Sequence, residues 1–528
     1  MKRRNFVKTA SASLSLPIIL GGSPISAFGR TNAVDALLEQ AEYEDRVLVL
    51  VRLNGGNDGL NTLVPLDQYS NLFAVRESII LPENSLQNTR IGDTNAFHPI
   101  MTGLKELFDT EKLGIIQSVG YPNPNKSHFR STDIWTAASA ADVVETSGWM
   151  GRYLDKLNPG FPEGYPNVEN PDPLAITIGN QLSQTCQGPS VNMGMALANL
   201  EGGQDLWEDG GSTPESKYGH ELSFLRQSFI QTNKYRDSIL TAAQLAPENL
   251  SELYPTDYNS LAEELKLVAR LIAGGLKTKV YVVDLGGFDT HAAQVTEGQA
   301  TETAGRHFEL LKQVSEAIFA FQDDLRLFGL EDRVLGMTFS EFGRRIKSND
   351  SFGTDHGAAA PLFVFGSQVN NQILGTNPII PVDAGVQDNI PMQYDFRAIY
   401  SSVLIEWFGA PEQMVQEVML GDTYEMIPLL KQGTVSIENE LAKDIRMGQN
   451  YPNPFVDMTR IPLELDRTEH IQIKIYNAMG QEQDTLLDRK LAVGKHEIPF
   501  EGHQLPAGNY YARMQVGPHQ QVKLMQKR

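Results

Sequence analysis

The segment from Lys279 to His291, KVYVVDLGGFDTH, constrains the chain most, because it joins a buried-strand pattern to an acid and an imidazole two residues apart. Val280, Tyr281, Val282 and Val283 are consecutive β-formers, and Gly286-Gly287 break the strand. In open α/β sheets, ligands bind just past the carboxyl ends of strands, which is where Asp289 and His291 fall. In extended backbone, residues two apart face the same side, so both side chains can address one ligand. The alternative for this stretch alone is a turn aspartate beside a surface histidine.

The same unit recurs along the chain. Arg46 to Leu53, RVLVLVRL, is an unbroken apolar run that predicts a strand covered on both faces, and it exits into NGGNDGLN, which presents Asp58. That exit is no phosphate-cradling loop, since it lacks both the Lys-Ser/Thr of a P-loop and the dinucleotide-binding spacing. A helix is expected from Pro99 to Asp109 and a strand from Leu113 to Val119, followed by a Pro/Asn-rich loop carrying Ser127, His128 and Arg130. Ser127 is either the cap of a helix running to Ala138 or a nucleophile whose pKa a metal lowers. Arg130 has the two-point geometry that holds an oxyanion. Further units follow: Ala175 to Ile178; a helix bearing Leu261, Leu265, Val268 and Ile272; a long helix with Phe308, Leu311, Val314, Ile318, Phe321 and Leu325 at helical spacing, where His307 reads as structural. Arg333 to Phe339 is another strand, then SEFGRR and GTDHG, then a strand over Pro361 to Phe365 and a closing helix over Asp395 to Phe408. Strand, loop and helix in alternation predict an α/β domain. Adjacent Asp355 and His356 point apart in a strand and share one ion only if Gly353 and Gly357 let the backbone turn.

Composition bounds the rest. At 528 residues, 41% of them hydrophobic, two or three globular units are expected. A formal charge of -21 excludes general nucleic-acid binding. Cys186 is the only cysteine, which excludes an internal disulfide or a thiolate cluster. Lys2-Arg3-Arg4 ahead of a short, weakly apolar run has the form of a twin-arginine export signal over residues 1–30, with no transmembrane segment after it. The polar stretch from Glu201 to Ser216 names no substrate. Past Gln432 the pattern changes to short alternating strands with turns at Ala478-Met479-Gly480 and Pro506-Ala507-Gly508, which predicts a small all-β sandwich over residues 450–528 after a linker at 431–449. His470 and His496 read as its surface residues.

Asp58, Asp289, Asp355, His291 and His356 thus all lie in loops after expected strands. Mixed oxygen and nitrogen donors suit Zn²⁺ or Mn²⁺, and Ca²⁺ or Mg²⁺ if the histidines contact substrate instead. Arg344 and Arg345 either help hold an anion against that site or are ordinary surface charges.

The motifs LVRLNGGNDGLNTLVPL, KSHFRSTDIWTAA, SGWMGRYLD, DLGGFDTH, TFSEFGRR, GTDHGAAAP and DFRAIYSSVL resemble the domain of unknown function 1501 family, a sulfatase-like branch of the alkaline phosphatase superfamily. The resemblance implies an alkaline-phosphatase-like central sheet sandwiched by helices over residues 45–430, with Asp58, Asp289, His291, Asp355 and His356 at a divalent metal and Ser127, His128 and Arg130 as catalytic candidates. It implies an exported metal-dependent hydrolase of anionic phosphate or sulfate esters. The chain departs from the superfamily's phosphatases, which use Asp-x-x-x-His and a further distal histidine: here the spacing is Asp289-Thr-His291, and no histidine follows His356 until His470. That departure motivates the alternative of a non-catalytic surface protein that binds glycans or a protein partner. YPNPF, IYNAMGQ and LPAGNYYARM resemble a type A sorting domain of type IX secretion, which implies a Bacteroidota-like host and partners in the twin-arginine translocase and the type IX machinery.

Overall fold

The computed structural model describes residues 45–198, 200, 234–431 and 445–528, apart from 449, 466–467, 478–481, 507 and 517–518, together with Tyr43, Ile18–Leu20 and Ser23–Ile25. The twin-arginine candidate at Arg3-Arg4, the Glu201 to Ser216 stretch and the turn at Ala478-Met479-Gly480 lie outside the described residues. The chain divides into two compact units, residues 1–431 and 432–528.

The larger unit is built on the strands that the apolar runs predict. β1 (Val47–Asn54), β2 (Leu113–Gly120), β3 (Ala175–Ile178), β4 (Gly194–Leu197), β5 (Val280–Gly286), β6 (Val334–Phe339) and, after the β7/β8 hairpin (Arg344–Ser348, Thr354–His356), β9 (Ala360–Phe365) are its main strands. In the nine-stranded central sheet the order is Ile373–Leu374, β2, β9, β6, β1, β5, β3, β4, with Tyr394–Asp395 also on β2. β6, β1, β5, β3 and β4 run parallel, and β9 runs antiparallel to both of its neighbours, so the sheet is mixed.

The period-2 geometry of β1 explains why its run is apolar throughout. Val47, Val49, Val51 and Leu53 join one core, while Leu48 and Leu50 join a second core on the other face. The first core is closed by α1 (Thr102–Asp109), α4 (Ser260–Ala273) and α5 (Arg306–Leu327). The second is closed by α2 (His128–Ala137), α3 (Trp149–Leu157) and α6 (Phe396–Ser402), which a π-turn at Val403–Trp407 continues. Each buried Val or Leu contributes about 1.5–3 kcal/mol, so burial on both faces fixes the register of β1 and with it the position of its exit loop. The register sets Leu53 and Asn54 of β1 beside Leu285 and Gly286 of β5, so the exit loops of these neighbours emerge together.

In the smaller unit, β10 (Ile445–Met447), β11 (Met458–Leu465), β12 (Glu469–Asn477), β13 (Glu482–Leu491), β14 (Gly494–Glu501), β15 (Gly508–Val516) and β16 (His519–Lys527) form two sheets, ordered β10-β11-β14 and β13-β12-β15-β16. One core containing Ile461, Leu463, Ile473, Ile475, Met514 and Met525 serves both sheets. β10 falls within the segment expected to be a linker, and its pairing with β11 explains why: Ile445–Met447 completes a sheet edge.

Candidate metal centre

Three loops meet beyond the carboxyl ends of β1, β5 and β6, and one arginine ties them together. Arg344 is fully buried, and its guanidinium donates to the carbonyls of Gly55, Gly56, Phe288 and Thr354 and to Asp289 Oδ1 at 2.8 Å. Its N–H groups are spent inside the protein, so it is neither an anion holder nor a surface charge. Gly55, at φ +125°, permits the close approach, since a Cβ there would lie 2.2 Å from the Asp289 nitrogen.

The chain that Arg344 holds carries four converging side chains. Asp289 Oδ1 lies 3.1 Å from His356 Nε2 and 3.2 Å from His291 Nε2, and those two nitrogens are 2.8 Å apart. Asp289 Oδ2 lies 3.3 Å from His128 Nε2. Ligand atoms of His128, Asp289 and His356 all lie within 4.8 Å of one another. Phe342, buried, packs against the His128 and His356 rings at 5.0 and 4.4 Å between centroids.

The other edge of each imidazole fixes its tautomer. His291 Nδ1 faces Asp355 Oδ1 at 3.0 Å, His356 Nδ1 faces the Lys126 carbonyl at 2.8 Å, and His128 Nδ1 faces Glu341 Oε1 at 3.0 Å. Each acceptor calls for a proton on Nδ1, which leaves the Nε2 lone pair free and aimed at Asp289. Burial lowers the pKa of His356, which favours its neutral ring. Burial alone would raise the pKa of Asp289, but the hydrogen bond and charge of the Arg344 guanidinium hold it well below the usual carboxylate range. Lone pairs 2.8–3.2 Å apart repel one another unless a cation sits among them. Around a tetrahedral Zn²⁺ with bonds of about 2.0–2.1 Å, ligand atoms stand about 3.3–3.4 Å apart, close to the 3.1–3.3 Å that separates Asp289 from the three imidazoles. The donor set therefore fits a divalent cation, with His128, Asp289 and His356 grouped closely enough to hold it and His291 beside Asp289 and His356.

Of the residues expected at a metal, Asp289, His291 and His356 come together, and His128, expected as catalytic, joins them. Asp355 sits one bond further out. Strand β8 sends Asp355 and His356 to opposite edges of the His291 ring, one to Nδ1 and one to Nε2, so Asp355 orients an imidazole rather than sharing its ligand. Asn349 donates to the same Asp355 oxygen.

Asp58 lies apart from the cluster. It is 1% exposed, its carboxylate receives Arg76 Nη1 at 3.0 Å and Gln294 Nε2 at 2.6 Å, and Gln294 in turn accepts from Thr290 and Thr354. Burial would raise its pKa, but the Arg76 charge, His307 and the Gln294 bond together hold it below the usual value. Its place is behind the site, bracing the residues next to Asp289 and Asp355. His307 is buried against Asn57, with its pKa lowered to about 4 by burial, and is structural.

Ser127 stands at the N-cap position of α2, yet its hydroxyl makes no capping bond, so the hydroxyl is free at the helix N-terminus beside His128. Arg130 Nη2 donates to the carbonyls of Ala140, Ala141 and Val143 and pins that loop, while its buried Nη1 has no hydrogen-bond partner. Arg345 donates to the carbonyls of His356 and Val386. Glu341 follows β6 as Asp289 follows β5, a placement that marks it in the sequence; it accepts from both His128 and the Gly55 amide. The Lys126 carbonyl leaves no signal in a sequence.

The family profile described as a protein of unknown function, DUF1501, matches residues 84–389, and that of a secretion system C-terminal sorting domain matches residues 449–527. Solved structures similar to the chain include a protein of the alkaline phosphatase superfamily from Vibrio parahaemolyticus, at 9% identity and TM-score 0.31, covering 80% of this chain and 76% of that one. Another is a sulfatase from Pseudoalteromonas, at 10% identity and TM-score 0.28, covering 89% and 86%. A third is the alkaline phosphatase of the Antarctic bacterium TAB5, at 10% identity and TM-score 0.28, covering 72% and 99%. No curated protein matches the chain. The sorting domain marks the protein as secreted or held at the cell surface, and among the described residues no helix is long and apolar enough to cross a membrane. With the profile spanning more than half of its length, the chain belongs to the DUF1501 family.

Proposed function

We propose that the protein is an exported metal-dependent hydrolase of phosphate or sulfate esters. The observation that supports this most is the 2.8 Å approach of His291 Nε2 to His356 Nε2, with both Nδ1 atoms committed to acceptors and Asp289 alongside. Three nitrogens and one carboxylate favour Zn²⁺ or Mn²⁺ over Ca²⁺ or Mg²⁺, which prefer oxygen. Such a cation, when bound, polarises the ester's anionic oxygens.

The chain's own residues would do the rest. Glu341, Asp355 and the Lys126 carbonyl lock the three rings, and Arg344 holds Asp289 ionised. The free hydroxyl of Ser127 at the start of α2 attacks phosphorus or sulfur while the ester alcohol departs with the serine proton, and water then cleaves the seryl ester to release the anion; alternatively water attacks directly. The first turn of α2, which begins at His128, has amides without intrahelical partners that favour an anion.

The test is turnover of p-nitrophenyl phosphate and p-nitrophenyl sulfate by the metal-loaded protein, with and without chelator, and by Asp289→Ala. Chelator-sensitive turnover that falls at least about 100-fold in Asp289→Ala is expected. Turnover indifferent to both would overturn the proposal. The second reading, a non-catalytic glycan- or partner-binding protein, draws on there being a single such cluster among the described residues and no histidine between His356 and His470. Saturable glycan binding unchanged by chelator, with no turnover, would favour it.

A further inference from the structure

A cleft of about 620 Å³ lies at the edge of the central sheet away from the cluster, where the chain enters β3 and β5; Leu174 and Lys279, the residues just before those strands, are on its wall. β5 rises about 3.3 Å per residue over its 7 residues, so roughly 20 Å separates this cleft from the Asp289 loop. The walls are largely aromatic. Tyr43, Tyr153 and Phe408 line the cleft, the Tyr153 and Phe408 rings pack at 5.4 Å between centroids, and Tyr43 rests on Gly409, where a Cβ would fall 2.7 Å from its ring.

Two polar atoms in this apolar setting have no partner. Tyr153 is 3% exposed and Asn158, the residue after α3, is 5% exposed. Asn158 Nδ2 donates to the Leu154 carbonyl, but Asn158 Oδ1 and the Tyr153 hydroxyl make no hydrogen bond among the described residues. Both atoms stay open to solvent, unlike the sealed and unpaired Trp135 Nε1, so it is the cleft that they face. Burial raises the pKa of Tyr153, so its hydroxyl keeps the proton. A polar atom buried without a partner costs about 1–3 kcal/mol, which a ligand able to pair with it recovers.

The remaining groups narrow the ligand. Asp172 Oδ2 accepts from the Lys277 amide at 2.9 Å, which leaves Oδ1 without a hydrogen bond among the described residues. That carboxylate disfavours an anion in the cleft, while Lys277 and Lys279 on the same wall disfavour a cation. A wholly apolar ligand covers the rings but strands Asn158 Oδ1 and the Tyr153 hydroxyl. A neutral sugar offers C–H faces to the rings and hydroxyls to Asn158, Asp172 and Tyr153, and so meets each demand at once.

We propose that this cleft binds a neutral saccharide, one or two sugar units of a glycan, independently of the metal centre. The probes are maltose, cellobiose, lactose, mannobiose, xylobiose and N,N′-diacetylchitobiose, titrated into the full chain with and without EDTA and read by saturation-transfer NMR, with cyclohexanol, tetramethylammonium and methanesulfonate as non-sugar probes in EDTA. At least one disaccharide is expected to bind saturably whether or not EDTA is present, and about tenfold more weakly to Tyr153→Phe, which keeps the ring on Phe408 and loses only the hydroxyl. Such binding supports the cleft even if ester turnover is never found. Failure of every disaccharide to saturate, binding undiminished in folded Tyr153→Phe, binding abolished by EDTA, or tighter Tyr153-dependent binding of a non-sugar probe would overturn it.

Discussion

Removing the partner of Asp58 separates folding from chemistry in this protein. Arg76 and Asp58 are 0% and 1% exposed, with an oxygen-nitrogen distance of 3.0 Å, and Arg76 also donates to the carbonyls of Ile346 and Arg345 at 2.9 Å. Replacing Arg76 with methionine keeps most of the volume but strands a buried carboxylate and two carbonyls, at a cost of about 3–5 kcal/mol. Asp58→Asn retains an acceptor for Arg76 and costs less, about 1–3 kcal/mol. Because the folded pKa of Asp58 lies below 3.8, the pairing contributes in full above that pH and is lost as pH falls through the folded value. Without Arg76, burial raises the pKa of the stranded Asp58 carboxyl, so the gap between native protein and Arg76→Met narrows as pH falls and the variant's carboxyl takes up a proton. All four tryptophans lie before residue 432, so fluorescence-detected urea unfolding reports on the larger unit alone. Metal content should be preserved in folded Asp58→Asn, since the side chain sits behind the cluster. A loss under about 1 kcal/mol in Arg76→Met would refute the energetic reasoning. Folded Asp58→Asn stripped of metal would refute the placement.

Glu341→Gln should weaken metal binding about 10–100-fold while leaving the fold intact, because the amide orients His128 less firmly than the carboxylate does; competition with a fluorescent chelator reads this. Gly353→Ala places a Cβ 2.4 Å from the carbonyl oxygens of Thr290 and His291, so it should push the β7/β8 hairpin off the Asp289 segment and abolish metal binding, by the same assay. Burial raises the pKa of Glu406 from 4.5 to about 7, against two opposing backbone hydrogen bonds from Leu430 and Leu429. A raised acid favours the fold below its unfolded pKa and loses that benefit as pH rises through about 7, so urea midpoints should fall less between pH 5 and 8.5 in Glu406→Gln than in the native chain.

The strands were legible because burial on both faces writes itself as an uninterrupted apolar run, and β1, β3 and β6 fall where those runs lie. Loop positions after strands likewise pointed to Asp289 and His291, since two-residue spacing survives the turn. Reading Asp58 as a ligand failed to foresee Arg76, whose place in the short helix Tyr69–Arg76 reveals nothing of the carboxylate it meets in three dimensions. His128 was visible as a chemical residue, but its convergence with Asp289 depends on where α2 docks. Arg344 looked like half of a basic pair, while its actual work is to gather three loops through their carbonyls, which no side-chain pattern records.

Isothermal titration of Zn²⁺ and Mn²⁺ into the metal-free native chain, His356→Ala and Asp289→Ala bears most directly on whether the four convergent side chains hold a cation. Roughly one ion per native chain is expected, with tight binding lost in both variants. An unbinding native protein, or undiminished binding in folded His356→Ala and Asp289→Ala, would contradict it.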